Sequence, residues 1–210
     1  MRDSSAMSRR SLYLCVDLRD DLVALVGAAI DGGVDVIQLR EKSAEAIPII
    51  RAAESIAPIC QANAVPFFVN DRVDIAFAVG ADGVHLGQSD LSPATARALV
   101  GDSLMIGRST HAKTELDNAI LEDIDYVSAG PIEATPTKPG RAGTGLEYLA
   151  YASATSQLPV FVTGGVTPEK IGALAAAGAA HFVVVRYILE ASDPLKAARQ
   201  LRRAIDAELG

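Results

Sequence analysis

The chain has 210 residues, with 19 Lys and Arg against 26 Asp and Glu, for a net charge of −7 at neutral pH. That balance excludes a broad basic face for nucleic acid or anionic lipid, and 50% hydrophobic residues with 21% charged ones exclude intrinsic disorder. Aromatic residues make up 5% and Trp is absent, so the expected core is built mainly from small aliphatic side chains.

Residues 1–10 are polar and basic, lack the apolar stretch of a secretory signal, and are expected to form a disordered tail ahead of one domain over 11–210. Short Val-rich runs then alternate with Ala- and Leu-rich stretches. A strand over 11–17 (SLYLCVD) precedes a helix over 20–30, and a strand over 34–39 (VDVIQL) precedes a helix over 44–62. The third pair is 66–70 (PFFVN) with 73–79, and the fourth is 83–86 (GVHL) with 93–100. Next come 104–107 with 113–121, then 126–129, a long loop and 146–154. The last two are 160–163 (VFVT) with 168–177, and 181–185 (HFVVV) with 194–209. The strand runs are apolar throughout, as parallel strands covered on both faces must be. Gly32, Gly33, Gly80, Gly101 and Gly178 supply helix-ending signals before the next strand. From residue 11 onward, 200 residues divide into eight units of 25. This predicts an α/β fold, a closed (β/α)8 TIM barrel near its minimum size.

No apolar run reaches the roughly 20 residues of a membrane span, and the expected location is the cytoplasm. Cys15 and Cys60 lie in apolar stretches and read as core residues rather than a disulfide framework.

A TIM barrel gathers its chemistry at the C-terminal ends of its strands. Arg40 and Lys42 are alternate residues leaving strand two, so both can face one side. With Lys138 they suit a diphosphate; taken alone they fit a solvated charge pair equally well. Lys138 lies in T-P-T-K-P-G-R-A-G-T-G, a loop whose Thr135 and Thr137 hydroxyls suit hydrogen bonds to phosphate and whose composition suits either a lid or a plain loop. Asp71 and Asp90 follow neighbouring strands and, with Asn70 close by, suit Mg²⁺. Asp71 also fits a helix N-cap and Asp90 a turn. V-T-G-G-V after strand seven, with strand eight after it, fits the common phosphate site of barrels, where Gly165 admits close backbone approach. Arg186 adds a charge to that phosphate or pairs with a surface acid. His85 and His181 read as satisfied core histidines, and His111, beside Ser109 and Thr110, as structural. No P-loop, G-x-S-x-G or dinucleotide fingerprint occurs. Together these residues suggest a diphosphate site with Mg²⁺ near strands two to six and a monophosphate site near strands seven and eight. Such a pocket fits a transferase that joins two phosphorylated ligands and expels pyrophosphate.

The motifs Q-L-R-E-K (38–42), F-V-N-D (68–71), H-L-G-Q-S-D (85–90), G-R-S-T-H (107–111), A-T-P-T-K-P (134–139) and T-G-G-V (163–166) together resemble the thiamine-phosphate synthase family over about residues 12–205. The resemblance implies that a hydroxymethylpyrimidine diphosphate loses pyrophosphate to the nitrogen of a thiazole phosphate, or of its carboxylated form with loss of CO₂, to give thiamine phosphate. It implies Gln38, Arg40, Lys42, Asn70, Ser109 and Lys138 as pyrimidine diphosphate ligands, with Arg40, Lys42, Ser109 and Lys138 catalytic. Asp71 and Asp90 would bind Mg²⁺, and Thr135, Thr137, Gly165, Val185 and Arg186 the thiazole phosphate. The implied partners are two phosphorylated small molecules, with no nucleic acid and no membrane; a homo-oligomer is left open. The chain departs from the family at two positions. Arg186 stands where Ser is usual, within V-V-S-A-I, and Glu133 stands where an apolar or aromatic residue is common. The alternatives are a thiazole tautomerase-like isomerase, a Schiff-base aldolase using Lys42 or Lys138, and a non-catalytic phosphate-binding regulator.

Overall fold

The computed structural model describes residues 5–136, 140 and 142–210. Its strands are β1 (Leu12–Val16), β2 (Val36–Leu39), β3 (Phe67–Asn70), β4 (Gly83–Leu86), β5 (Met105–Thr110), β6 (Tyr126–Ala129), β7 (Val160–Thr163) and β8 (His181–Val184). All pairs are parallel and run in chain order, and β1 closes the ring by pairing with β8, as the eight-unit reading expects. The helices are α1 (Leu22–Asp31), α2 (Ala46–Ala62), α3 (Val73–Ala78), α4 (Pro93–Val100), α5 (Lys113–Ala119), α6 (Gly145–Thr155), α7 (Pro168–Ala176), α8 (Arg186–Leu189) and α9 (Pro194–Leu209). Helices α4, α7 and α9 start at the expected proline, whose fixed φ and missing N–H suit the first turn. The caps before α4 and α9 are real: Ser92 Oγ accepts the Thr95 N–H at 3.1 Å, and Asp193 Oδ1 accepts that of Lys196 at 2.9 Å. Helix α8 was not expected, because four residues carry no readable period. Among the described residues no helix is long and apolar enough to cross a membrane.

Alternation along each strand divides the core in two. Outward residues such as Leu14, Ile37, Val69, Ile106 and Val162 pack under the helices in an aliphatic layer, as the composition suggests. The barrel interior differs. Tyr13, Phe68, Tyr126 and Phe161 fill it with rings, in mainly edge-to-face contacts of 5.1 to 6.1 Å between centroids. Phe67, Tyr148 and Phe182 are buried in the outer layer instead. Glycine makes the room: a Cβ on Gly107 would lie 2.1 Å from Tyr126 Cζ, and one on Gly83 would lie 2.2 Å from Phe68 Cε1.

The expected disordered tail is corrected over its described residues. Met7–Arg9 form a short 3₁₀ turn, and Met7 is fully buried against the interior rings at the N-terminal mouth of the barrel. An apolar opening left uncovered would expose ring surface, and one buried Met side chain is worth about 1.5–3 kcal/mol. Nearby, aspartates just ahead of even-numbered strands satisfy backbone N–H groups at the start of the preceding strand. Asp35 accepts from Ser11 and Leu12, Asp82 from Phe67, and Asp125 from Ile106, all within 3.2 Å. The N-terminal rim is thus stitched for stability, and the opposite rim is left for ligands.

Candidate active site

Two adjoining cavities open at the C-terminal rim. The first, about 450 Å³, is lined by Gln38, Arg40, Lys42, Asn70, Asp71, Asp90 and Ser109, every described residue expected around the diphosphate and metal. The second, about 250 Å³, is lined by Thr135, Gly165, Val185 and Arg186. Thr163, Val183 and Val185 border both, so the two share a wall at the ends of β7 and β8. Thr137 and Lys138 lie outside the described residues.

In the first cavity Lys42 Nζ meets Asp71 Oδ2 at 2.7 Å, with the lysine side chain 51% exposed and the aspartate 19%. Asp71 does not cap α3. It adopts a left-handed backbone, φ 61°, which Asp tolerates better than most residues, and this turns its carboxylate into the cavity. Asp90 serves a turn and the cavity at once: its Oδ2 accepts the Gly87 N–H at 2.7 Å and its carboxyl meets that of Asp71. Burial pushes the Asp71 carboxyl above its ordinary range, the contact with Asp90 pushes it further, and Lys42 opposes both. Asp90 is held below its ordinary range despite its own burial, because Asp71, the Gly87 N–H, Lys42 and Arg108 all favour its charged form. Two ionised carboxyls in contact repel each other, and Lys42 offsets part of that repulsion. The same oxygen donors, facing a cavity that can admit water and phosphate, fit Mg²⁺. Among the described residues there is no cluster of three or more His, Cys, Asp or Glu, so a metal here needs further oxygens from water or ligand.

Two further groups are ready for a ligand. Asn70 is buried, and its Nδ2 has no hydrogen-bond partner among the described residues, a costly state for a donor that a bound acceptor would relieve. Arg40 is half-buried at the cavity wall with no ion pair among the described residues. Arg108, at the same strand end as Ser109, faces away. Strand alternation sends it outward, where it donates to the Gly87 carbonyl at 2.7 Å and lies 3.6 Å from Glu122.

Sequence reasoning missed the polar floor of this cavity. His85 is satisfied, as expected, yet it lines the cavity, with Nδ1 2.9 Å from Tyr126 Oη and Nε2 2.8 Å from Ser109 Oγ. Tyr13 Oη lies 3.0 Å from Tyr126 Oη and accepts from Gln38 Nε2 at 2.7 Å. Burial pushes both tyrosine hydroxyls well above their ordinary range, so both keep their protons. The available signal was period-two alternation, which places Tyr13, His85 and Tyr126 on the inward face beside Gln38 and Ser109. His111 also lines the cavity, its Nδ1 and backbone N–H both 2.8 Å from Glu115 Oε2.

The second cavity forms where β7 and β8 end in non-standard backbone. Gly164 and Gly165 have φ of 94° and 78°, which only glycine adopts without strain. Arg186 is the first residue of α8 rather than a strand end, exposed and without an ion pair among the described residues. Glu133 now has a physical account. Its carboxylate pairs with Lys170 at 2.5–2.6 Å and stands so close above Gly165 that a Cβ there would be 2.6 Å from its Oε2.

The sequence comparisons agree with this geometry. The model of the thiamine monophosphate synthase (TMP-TENI) family matches residues 12–188. A thiamine-phosphate synthase of Thermobifida fusca is 46% identical over 202 residues, covering 93% of this chain and 92% of that protein. One from Synechocystis sp. is 45% identical over 191 residues, covering 91% of this chain but 56% of its own length, so the chain spans about half of that relative. The solved thiamine phosphate pyrophosphorylase from Pyrococcus furiosus superposes with a TM-score of 0.88 at 30% identity, covering 95% of this chain and 97% of that one. The chain belongs to the thiamine monophosphate synthase family.

Proposed function

We propose that the protein is a thiamine-phosphate synthase, joining hydroxymethylpyrimidine diphosphate to thiazole phosphate with release of pyrophosphate, or to its carboxylated form with release of pyrophosphate and CO₂. The observation that carries this reading is the pair of cavities sharing one wall, one equipped with cations and paired carboxyls, the other with a glycine loop. Two anionic ligands held side by side lose little further freedom before reacting.

In this reading Gln38, Arg40, Lys42, Asn70, Ser109 and Lys138 hold the pyrimidine diphosphate, and Thr135, Thr137, Gly165, Val185 and Arg186 hold the thiazole phosphate. The bond from the methylene carbon to the diphosphate oxygen breaks, and its electron pair leaves with pyrophosphate. The ring amino group supports the cation left on the methylene, so no strong protein base is required. The thiazole nitrogen then donates its lone pair to that carbon. Arg40, Lys42 and Lys138 stabilise the charge gathering on the departing group. Asp71 and Asp90 would hold Mg²⁺, which when bound neutralises phosphate charge. Lys42, paired with a carboxylate and half in solvent, lacks the apolar surroundings that activate a Schiff-base amine.

Pyrophosphate release is expected only when both substrates and Mg²⁺ are present, and excess EDTA should stop it. Release from the diphosphate alone at the full rate would overturn the coupling, and an EDTA-insensitive rate would remove the metal role. Glu133 yields a second expectation, because its negative charge borders the phosphate loop. Glu133→Gln leaves Lys170 as an unopposed cation, so the KM for thiazole phosphate should fall about two- to fivefold, within the ~1 kcal/mol range of exposed pairs. A raised KM would show that the pair instead builds the site.

A further inference from the structure

Four hydrogen bonds run in series through the barrel interior, and one order of protons satisfies all of them in turn. Gln38 donates its amide N–H to Tyr13 Oη at 2.7 Å. An amide nitrogen cannot accept, which leaves the Tyr13 proton free to point toward Tyr126 Oη, 3.0 Å away. In that order Tyr126 accepts from Tyr13 and donates to His85 Nδ1, 2.9 Å away. The ring proton of His85 is then on Nε2, and that N–H donates to Ser109 Oγ at 2.8 Å. Gln88 Nε2 fixes the same strand end by donating to the Ser109 carbonyl at 2.6 Å. Having accepted from His85, Ser109 directs its own hydroxyl proton into the first cavity, whose wall it forms.

We infer that His85 is a positioning residue, locked by Tyr126 as the Nε2–H tautomer so that Ser109 presents a proton to an acceptor atom of the diphosphate-bearing ligand. The identity of that ligand rests on the function proposed above; the proton order does not. His181 supplies an internal contrast. Its Nδ1 lies 2.5 Å from the Arg10 carbonyl oxygen, which can only accept, so His181 has the opposite tautomer. The partner of Nδ1 is thus a hydroxyl for His85 and an acceptor-only carbonyl for His181.

The test reads the imidazole nitrogen chemical shifts of the ligand-free full chain, with the His85 signals assigned by their loss in His85→Gln. The expected spectrum has His85 protonated on Nε2 and His181 on Nδ1. In Tyr126→Phe the His85 preference should disappear, and kcat should fall about tenfold while the KM for thiazole phosphate stays unchanged. His85→Gln, whose amide nitrogen can still donate to Ser109, should retain more activity than His85→Leu. A wild-type His85 protonated on Nδ1 overturns the inference, as does a Tyr126→Phe protein with either its tautomer or its kcat unchanged. The spectrum needs no substrate, so a missing coupling reaction alongside the expected tautomers would count against the proposed function alone.

Discussion

Asp71→Asn is expected to lower pyrophosphate release by about 10²- to 10³-fold, the size of losing one preorganised group that stabilises developing charge, while the barrel stays folded. Asn tolerates the left-handed backbone at this position as Asp does, so the loop should survive the change. Stability should survive as well. The wild-type fold holds the Asp71 carboxyl above its ordinary range, chiefly by burial and then by contact with Asp90. Burial and Asp90 thus penalise its ionised form in the native state while Lys42 favours it, and replacing the group removes a like-charge contact along with the Lys42 ion pair. The same shift gives the metal a pH dependence. Mg²⁺ and a proton compete for the Asp71 carboxylate, so its apparent affinity should weaken as pH falls, and this dependence should be smaller in the variant. Wild-type turnover in Asp71→Asn would show that this carboxylate holds no metal.

Gly107→Ala should destabilise the protein by about 3 kcal/mol, the upper part of the range for overpacking a well-filled core. The new methyl group would fall 2.1 Å from Tyr126 Cζ and 2.4 Å from its hydroxyl oxygen. The ring has nowhere to retreat. Phe161, His85, Phe68 and Tyr13 surround it with centroids at 5.1, 5.5, 5.6 and 6.1 Å. For a domain of this size the midpoint of thermal unfolding should drop by roughly 6–12 °C. Activity of the surviving folded protein should fall too, because Tyr126 holds His85 and His85 holds Ser109. An unchanged melting point would mean that the interior is looser than its ring contacts imply.

The barrel was legible because its signals are local and repeated. Apolar runs of near-constant spacing, proline at the first turn of α4, α7 and α9, and glycine before the next strand all fall where the structure has them. The rim residues were legible for the same reason, since topology alone sends strand ends to one face. What the sequence hid depends on contacts distant along the chain. Met7 reads as part of a polar tail, and only the closed barrel supplies the apolar opening that buries it. His85 and Tyr126 read as interior residues, which they are, but their link to Ser109 needs three strands placed side by side. Glu133 had no meaning until Lys170 on α7 was brought over the glycine loop. Arg108, beside Ser109 on β5, is turned by one step of alternation to the outer layer, where it serves the Gly87 carbonyl.

The central claim is that each cavity takes one ligand, and the KM values of two variants test it crosswise. Arg40→Ala should raise the KM for pyrimidine diphosphate and leave that for thiazole phosphate near its wild-type value. Gly165→Ala, which forces a side chain onto a backbone at φ 78° and against Glu133, should do the reverse. Equal effects of either variant on both substrates, or the opposite pairing, would contradict the two-cavity account.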